Sequence, residues 1–327
     1  MICKEETTMV TYRKATKEDG EALIELINYV FSFDHCPHDF KKRNPGMYNS
    51  DYPFWDDHYV AEENGKLLAT LSVTKRDWHG FLCGHIGQVS VHPYHRGRGF
   101  MKVLMKMAND DMAKNGFVFG ELNGLRQRYE YFGYAQGGVT YKLLITPTNL
   151  RHKPGNTEGI ELKEIGFHQY TAIRNGKEIG TVSDYGAQTT CAKDLPAVLQ
   201  LYFDTTGNKE LTIRVKPYET ERLSVLSDFC EKIDTAHMMQ YRVFRLRDAI
   251  RTCLEQRTDL WDGSVTIASD TEAPFTVTVE NGTVSVTDAD TTETTDFMTL
   301  QRLLFGLVPP VLMPKEMAKT NWFPLSF

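Results

Sequence analysis

The sequence predicts an α+β protein whose main part is a mixed sheet flanked by helices. Three observations predict it. The chain opens strand-then-helix; a meander of short strands follows, turned at Asn64-Gly65; a glycine-punctuated corner then leads from strand into helix before two more strands.

Taken in order, Val10–Arg13 reads as a short strand, and Thr16 with Asp19 as a capping-box-like start for a helix over Gly20–Phe33. Leu23, Leu26, Ile27 and Val30 share one face of that helix. Phe33–Pro53, rich in His, Asp, Pro and aromatic residues, reads as a long irregular loop of the kind that forms lids or binding surfaces. Strands over Tyr59–Glu62 and Leu67–Val73 flank the Asn-Gly turn, and a third covers His85–Val91. A helix over Gly99–Asn115 follows, with Met101, Leu104, Met105, Ala108 and Met112 as its core face. Phe117–Leu122 is strand, Leu125–Tyr131 a short helix and Val139–Ile145 a closing strand.

The polar, proline-containing Thr146–Gly159 reads as a linker. Helices at Pro196–Phe203 and Thr220–Ile233 surround a strand at Leu211–Lys216. The last segment gives a helix at Leu246–Gln256 and strands at Val265–Ile267, Phe275–Val279 and Thr283–Val286. Asn281-Gly282 joins the last two strands, and a helix at Thr299–Phe305 follows. The expected domains are therefore 1–146, 147–236 and 237–327.

Bulk composition narrows the function classes. The 327 residues are 41% hydrophobic and 24% charged, as in ordinary globular proteins, and no apolar run approaches the roughly 20 residues needed to cross a bilayer. The polar start Met1–Thr8 does not read as a signal peptide, and six scattered cysteines without a C-x-x-C pair read as reduced thiols, so a cytoplasmic protein is expected. A formal net charge of −6 argues against nucleic acid as partner and is compatible with a cationic small substrate. No metal is expected: His35, Cys36, His38 and Asp39 have ligand chemistry, but their spacing suits no standard site and Pro37 stiffens it.

The chemistry lies in Gly87–Met101. A strand ends at Val91, Pro93 stops it, and Arg96, Gly97, Arg98 and Gly99 open directly into a helix. Such a corner directs several backbone N–H groups at one point, at the positive end of a helix dipole, which suits a pyrophosphate. Gly97 and Gly99 let backbone approach phosphate oxygens, and two arginines add charge; the plain alternative is a solvated strand–helix corner. The Walker pattern is absent, and Lys102 stands where a dinucleotide fingerprint wants its third glycine. About thirty residues on comes a second cluster, Arg128 to Tyr134, with Tyr129 four residues before Gly133-Tyr134.

Together the two segments resemble the GNAT superfamily of acyl-CoA N-acyltransferases. Arg96–Met101 matches the R-x-x-G-x-G/A turn except at Met101, and Tyr129 with Gly133-Tyr134 matches the Y-x-x-x-G-F/Y signature. The order of parts is similar to the Eis (enhanced intracellular survival) group: a GNAT domain, a degenerate GNAT-like middle segment, here shorter than usual, and a small sterol-carrier-protein-like C-terminal domain. The resemblance implies acetyl-CoA as co-substrate. The strand Val89, Ser90 and Val91 would polarise the thioester carbonyl, while Arg96, Gly97, Arg98, Gly99, Phe100 and Met101 hold the pyrophosphate and Tyr129 protonates the departing thiolate. It also implies a homo-oligomer, a hexamer in that group, and it suggests the C-terminal carboxylate of Phe327 as general base.

Transfer to an amine requires a neutral amine, a stabilised oxyanion and a protonated leaving group. A phenol near pKa ~10 protonates a thiolate of pKa ~8.5 only uphill unless its surroundings help. Tyr129 is the expected acid, with core packing as its plainer role, more so for Tyr131 and Tyr134. An α-carboxyl near pKa ~3.5 is a feeble base unless burial raises it. The apolar tail Trp322, Phe323, Leu325 and Phe327 is consistent with burial or with simple surface docking. Glu121, His85 and a water chain are the alternative bases. Asp34, Trp55 and Glu121 are expected to bind the acceptor, with Asp56 beside them. The expected function is N-acetylation of a primary amine on a small molecule such as a polyamine or aminoglycoside-like compound, or on a lysine. The rival reading is a non-catalytic acetyl-CoA sensor or an apolar-ligand carrier.

Overall fold

The computed structural model describes residues 9–34, 36–48, 51–78, 80–166, 168–217, 219–308 and 310–325. His35 and Phe327, both singled out above, lie outside the described residues. The chain divides into two compact units: residues up to Gly137 with Met239–Leu325, and Gly138–Met238.

The first unit opens with β1 (Thr11–Lys14), α1 (Gly20–Asp34), α2 (Phe40–Arg43) and α3 (Pro45–Tyr48), then β2 (His58–Glu63), β3 (Lys66–Trp78) and β4 (Phe81–Val91). Next come α4 (Phe100–Lys114), β5 (Phe119–Leu122) and α5 (Arg126–Glu130). The reciprocal capping box of Thr16 and Asp19 forms, and Arg13 adds two hydrogen bonds to Asp19 at 2.6 and 2.9 Å, fixing the entry into α1. Asn64 and Gly65, at φ +54° and +73°, make the tight β2–β3 turn. Successive side chains of a strand point to opposite faces. Val60 accordingly joins Leu23 and Ile24 of α1 on one face, while Tyr59 and Ala61 join Leu104, Met105, Ala108 and Met112 of α4 on the other.

The second unit contains β6 (Ala135–Ile145, whose first three residues belong to the first unit), α6 (Pro147–His152) and the meander β7 (Ile160–Gly166), β8 (Gln169–Arg174), β9 (Lys177–Ser183) and β10 (Gly186–Thr189). It goes on with α7 (Leu195–Thr206), β11 (Leu211–Val215) and α8 (Thr220–Ser227). Its core gathers Leu143, Ile145, Leu195, Val198, Leu199, Tyr202 and Ile213. The expected linker is in part a capped helix, since Thr146 and Asn149 bond each other reciprocally at the start of α6. The expected helix to Ile233 stops at Ser227, and a strand begins at Lys232.

That strand is β12 (Lys232–Val243), which passes back into the first unit at Met239. There Gln240–Val243 pairs antiparallel with β5, Tyr241 opposite Glu121, and completes the mixed sheet β1-β2-β3-β4-β5-β12. After it come α9 (Leu246–Glu255), β13 (Gly263–Ile267), β14 (Phe275–Glu280), β15 (Thr283–Asp288), α10 (Phe297–Phe305) and α11 (Lys315–Ala318). The three strands form an antiparallel sheet whose inward residues Val265, Ile267, Phe275, Val277 and Val279 are buried. The architecture is α+β with a mixed sheet flanked by helices, as the sequence predicts. Among the described residues no helix is long and apolar enough to cross a membrane.

Candidate active site

Strand β4 pairs in parallel with β5 only over Cys83–Ile86, but runs on beside β3 as far as Val91. Past Ile86, among the described residues, no strand pairs with the edge of β4 that faced β5. A register shift against Thr70 and Ser72 makes a bulge at Gln88-Val89, with Gln88 at φ +46°. The backbone of Val89, Ser90 and Val91 therefore borders a gap in which a ligand can take the place of a strand. Ser90 is buried and its hydroxyl has no hydrogen-bond partner among the described residues.

The chain then turns through Pro93–His95 to the corner. Gly97 and Gly99 both sit at φ +82°, a conformation that favours glycine, and a Cβ on either would meet nothing within 4 Å. Gly99 caps the 15-residue α4, whose first amides have no intrahelical acceptor and point out along the dipole. Phe100 anchors this turn in the core, and Met101 packs partly against the same cluster. The arginines are already engaged. Arg96 bonds Asp34 at 2.5 Å, and Arg98 grips Glu63 through two bonds of 2.9 and 2.6 Å. With each guanidinium facing a carboxylate, little net charge is left over, so an anion here relies on amides and the helix end.

Asp34 thus sits at the last turn of α1, held by the corner. Trp55 packs at the other end of that helix, where a Cβ on Gly20 would stand 3.6 Å from its ring. The two residues lie about 20 Å apart along the axis and are not brought together.

Tyr129 is buried, its ring against Gly124 so closely that a Cβ there would stand 2.5 Å from Cε2. Burial pushes its phenol above the ordinary range, and Arg128 counteracts in part. That shift is opposite to the one full proton transfer to a thiolate would want. Tyr134 is the structural tyrosine: wholly buried, it donates to Asn109 of α4 at 2.8 Å. Tyr131, expected in the core, is instead 67% exposed with Lys102 over its ring.

Glu121 lies on β5 at the foot of the gap, with only 1% of its side chain exposed. One of its oxygens accepts from Arg76 at 2.6 Å and from Nδ1 of His85 at 3.0 Å. Sequence reasoning missed Arg76 because the outer arm of β3 was not read as strand, and missed Glu63 because only a fold pairs it with Arg98. In the tail Trp322 and Leu325 are buried, Phe323 and Pro324 are partly exposed, and the Leu325 amide donates to Leu304 of α10. The same helix reaches the Tyr129 segment, Arg302 bonding Glu130 at 2.8 Å and Gln301 donating to the Gly133 carbonyl at 3.1 Å. Two clefts of about 540 and 350 Å³ lie around Arg214 in the second unit and hold none of these residues.

Residues 11–137 match the family described as acetyltransferase (GNAT) domain. No curated protein sequence matches the chain. Among solved structures, a probable N-acyltransferase from Enterococcus faecalis V583 is similar at 14% identity and a TM-score of 0.67, over 98% of this chain and 97% of that one. A GCN5-related N-acetyltransferase from Anabaena variabilis aligns at 14% identity and TM-score 0.66, covering 93% and 92% of the two chains. Eis1 from Mycobacterium abscessus aligns at 13% identity and TM-score 0.64, covering 98% and 97%. The fold is therefore shared along nearly the whole chain, and residues 11–137 match the GNAT acetyltransferase domain family.

Proposed function

We propose that the protein is an acetyl-CoA-dependent N-acetyltransferase acting on a primary amine of a small molecule or a lysine side chain. The observation that carries this reading is the opening of β4 from β5 above a corner whose two glycines face open space at the head of α4. GNAT acetyltransferases use acetyl-CoA, which supplies the acetyl group and a thiol leaving group. The amides of Gly97–Met101 hold the diphosphate, with Arg96 and Arg98 beside them. The backbone of Val89–Val91 donates to the carbonyl oxygen as charge gathers on it. Tyr129, kept protonated by burial, donates to the departing sulfur. Asp34 and Trp55, at opposite ends of α1, cannot both touch one small amine, and Glu121 lies nearest the gap.

The Eis-like resemblance offers the carboxylate of Phe327 as one candidate base, beside Glu121, His85 and a water chain, and the burial of Trp322 and Leu325 is consistent with it. The resemblance likewise extends the proposal to an assembly of several copies, to the cytoplasm and to a sterol-carrier-like fold for residues 237–327. The apolar strand residues Val265, Ile267, Phe275, Val277 and Val279 of that last part are buried.

Titration calorimetry with acetyl-CoA, followed by a thiol-release assay over a panel of amines, tests the reading. Binding with amine-dependent release of free thiol supports it. Binding without turnover across the panel would leave a sensor in its place.

A further inference from the structure

We infer that His85, oriented by the buried Glu121, is the group that takes the proton from the acceptor amine; this rests on the acetyltransferase reading above. The first support is the state of the ring. Glu121 is 1% exposed, and the oxygen that accepts from Arg76 also faces the imidazole. In the neutral ring, a hydrogen bond of 3.0 Å to that carboxylate oxygen puts the proton on Nδ1 and the lone pair on Nε2. The second support is direction. A Cβ built on Gly87 would stand 3.9 Å from Nε2 and 3.8 Å from Cδ2 of His85. The basic edge of the ring thus lies over Gly87, aimed along β4 toward the bulge at Gln88-Val89 where the sheet opens.

The third support is room. The Gly87 position places no side chain between Nε2 and the bulge, and His85 remains 22% exposed while its partner is buried. The sheet itself fixes the pair: Thr74, His85, Glu121 and Tyr241 stand directly opposite one another across β3, β4, β5 and β12. The charged or titratable groups near His85 are Glu121, Arg76, Cys83 two residues back on β4, Tyr241 beside Glu121 and Asp57, which bonds Thr74. Of these only Glu121 bonds the imidazole.

The chemistry balances. The amine nitrogen forms the new C–N bond, the C–S bond breaks, one amine proton passes to Nε2 of His85, and the sulfur takes a proton from Tyr129. Solvent restores both groups. Glu121 acts through His85 and is a positioning residue.

The experiment compares wild type, His85→Gln and Glu121→Gln, each first checked for wild-type melting. A fall in kcat of about a hundredfold or more is expected for His85→Gln. Acetyl-CoA affinity stays unchanged. Nitrogen-15 spectra of the side chain should show the Nδ1–H form of His85 in wild type and its loss in Glu121→Gln, a readout independent of turnover. Should Glu121→Gln melt early, the wild-type spectrum and His85→Gln carry the test. His85→Gln turning over within twofold of wild type overturns the inference while leaving the acetyltransferase reading standing. Wild type that binds acetyl-CoA and releases no thiol with any amine overturns both.

Discussion

Adding one methyl group at Gly99 separates a ligand-gripping corner from an ordinary turn. Gly99 has φ +82° and ψ 6°, and a Cβ there meets nothing within 4 Å, so Gly99→Ala suffers no clash. Its cost is conformational, about 1–2 kcal/mol for an L side chain in the left-handed region. Gly282 supplies the control: it has φ +75°, nothing within 4 Å, and lies at the β14–β15 hairpin tip, in a different sheet. Urea denaturation should find both variants destabilised by about the same 1–2 kcal/mol. They should part on the ligand. In Gly99→Ala the methyl stands where phosphate oxygens approach the amides, so the Kd for acetyl-CoA by calorimetry should rise at least about tenfold, or 1.4 kcal/mol. Gly282→Ala should bind as wild type. A Gly99→Ala protein that is equally destabilised yet binds within twofold of wild type refutes the corner's role.

Three further outcomes follow. Tyr129→Phe should lower kcat at least about tenfold with acetyl-CoA affinity unchanged; an unchanged rate removes the phenol from the reaction. Asp34→Asn frees Arg96 for the ligand. The pair is more than a third exposed, so screening limits the gain to about 1 kcal/mol, seen as an up to fivefold lower Kd that shrinks with salt; weaker binding would contradict this. Asp19 is held below the usual carboxylate range, chiefly by Arg13. Its contribution is therefore present above the unfolded value of about 4 and is lost as pH falls through the lower folded value. Asp19→Asn should flatten the acid loss of stability in urea melts below about pH 4, and an unaltered slope would show the pair to be neutral.

The elements most legible in the sequence are those set by local chemistry. The Thr16–Asp19 box, the Asn64-Gly65 and Asn281-Gly282 turns and the apolar face of α4 are all where the chain's short-range pattern puts them. Elements whose pattern is diluted by exposure were not. The outer arm of β3, with Lys75, Arg76 and Asp77, is exposed and lacks alternation, although it carries the partner of Glu121. The meander β7–β10 was unread despite an Asn175-Gly176 turn of the same kind, at φ +52° and +76°, that would have revealed its centre. The start of strand β12 is hidden in the sequence because Leu223, Leu226, Cys230 and Ile233 continue at helical spacing past the helix end at Ser227. At the site, residue types were legible and pairings were not: Arg96 with Asp34 and Arg98 with Glu63 join positions 62 and 35 apart, which only the folded sheet brings together.

The most direct measurement is a crystal structure of the protein grown with coenzyme A. The account predicts the diphosphate within hydrogen-bond reach of the amides of Gly97–Met101, and the thiol end beside Val89–Val91 with Tyr129 and Nε2 of His85 facing it. Coenzyme A bound elsewhere on the chain, with that corner bare, would contradict it.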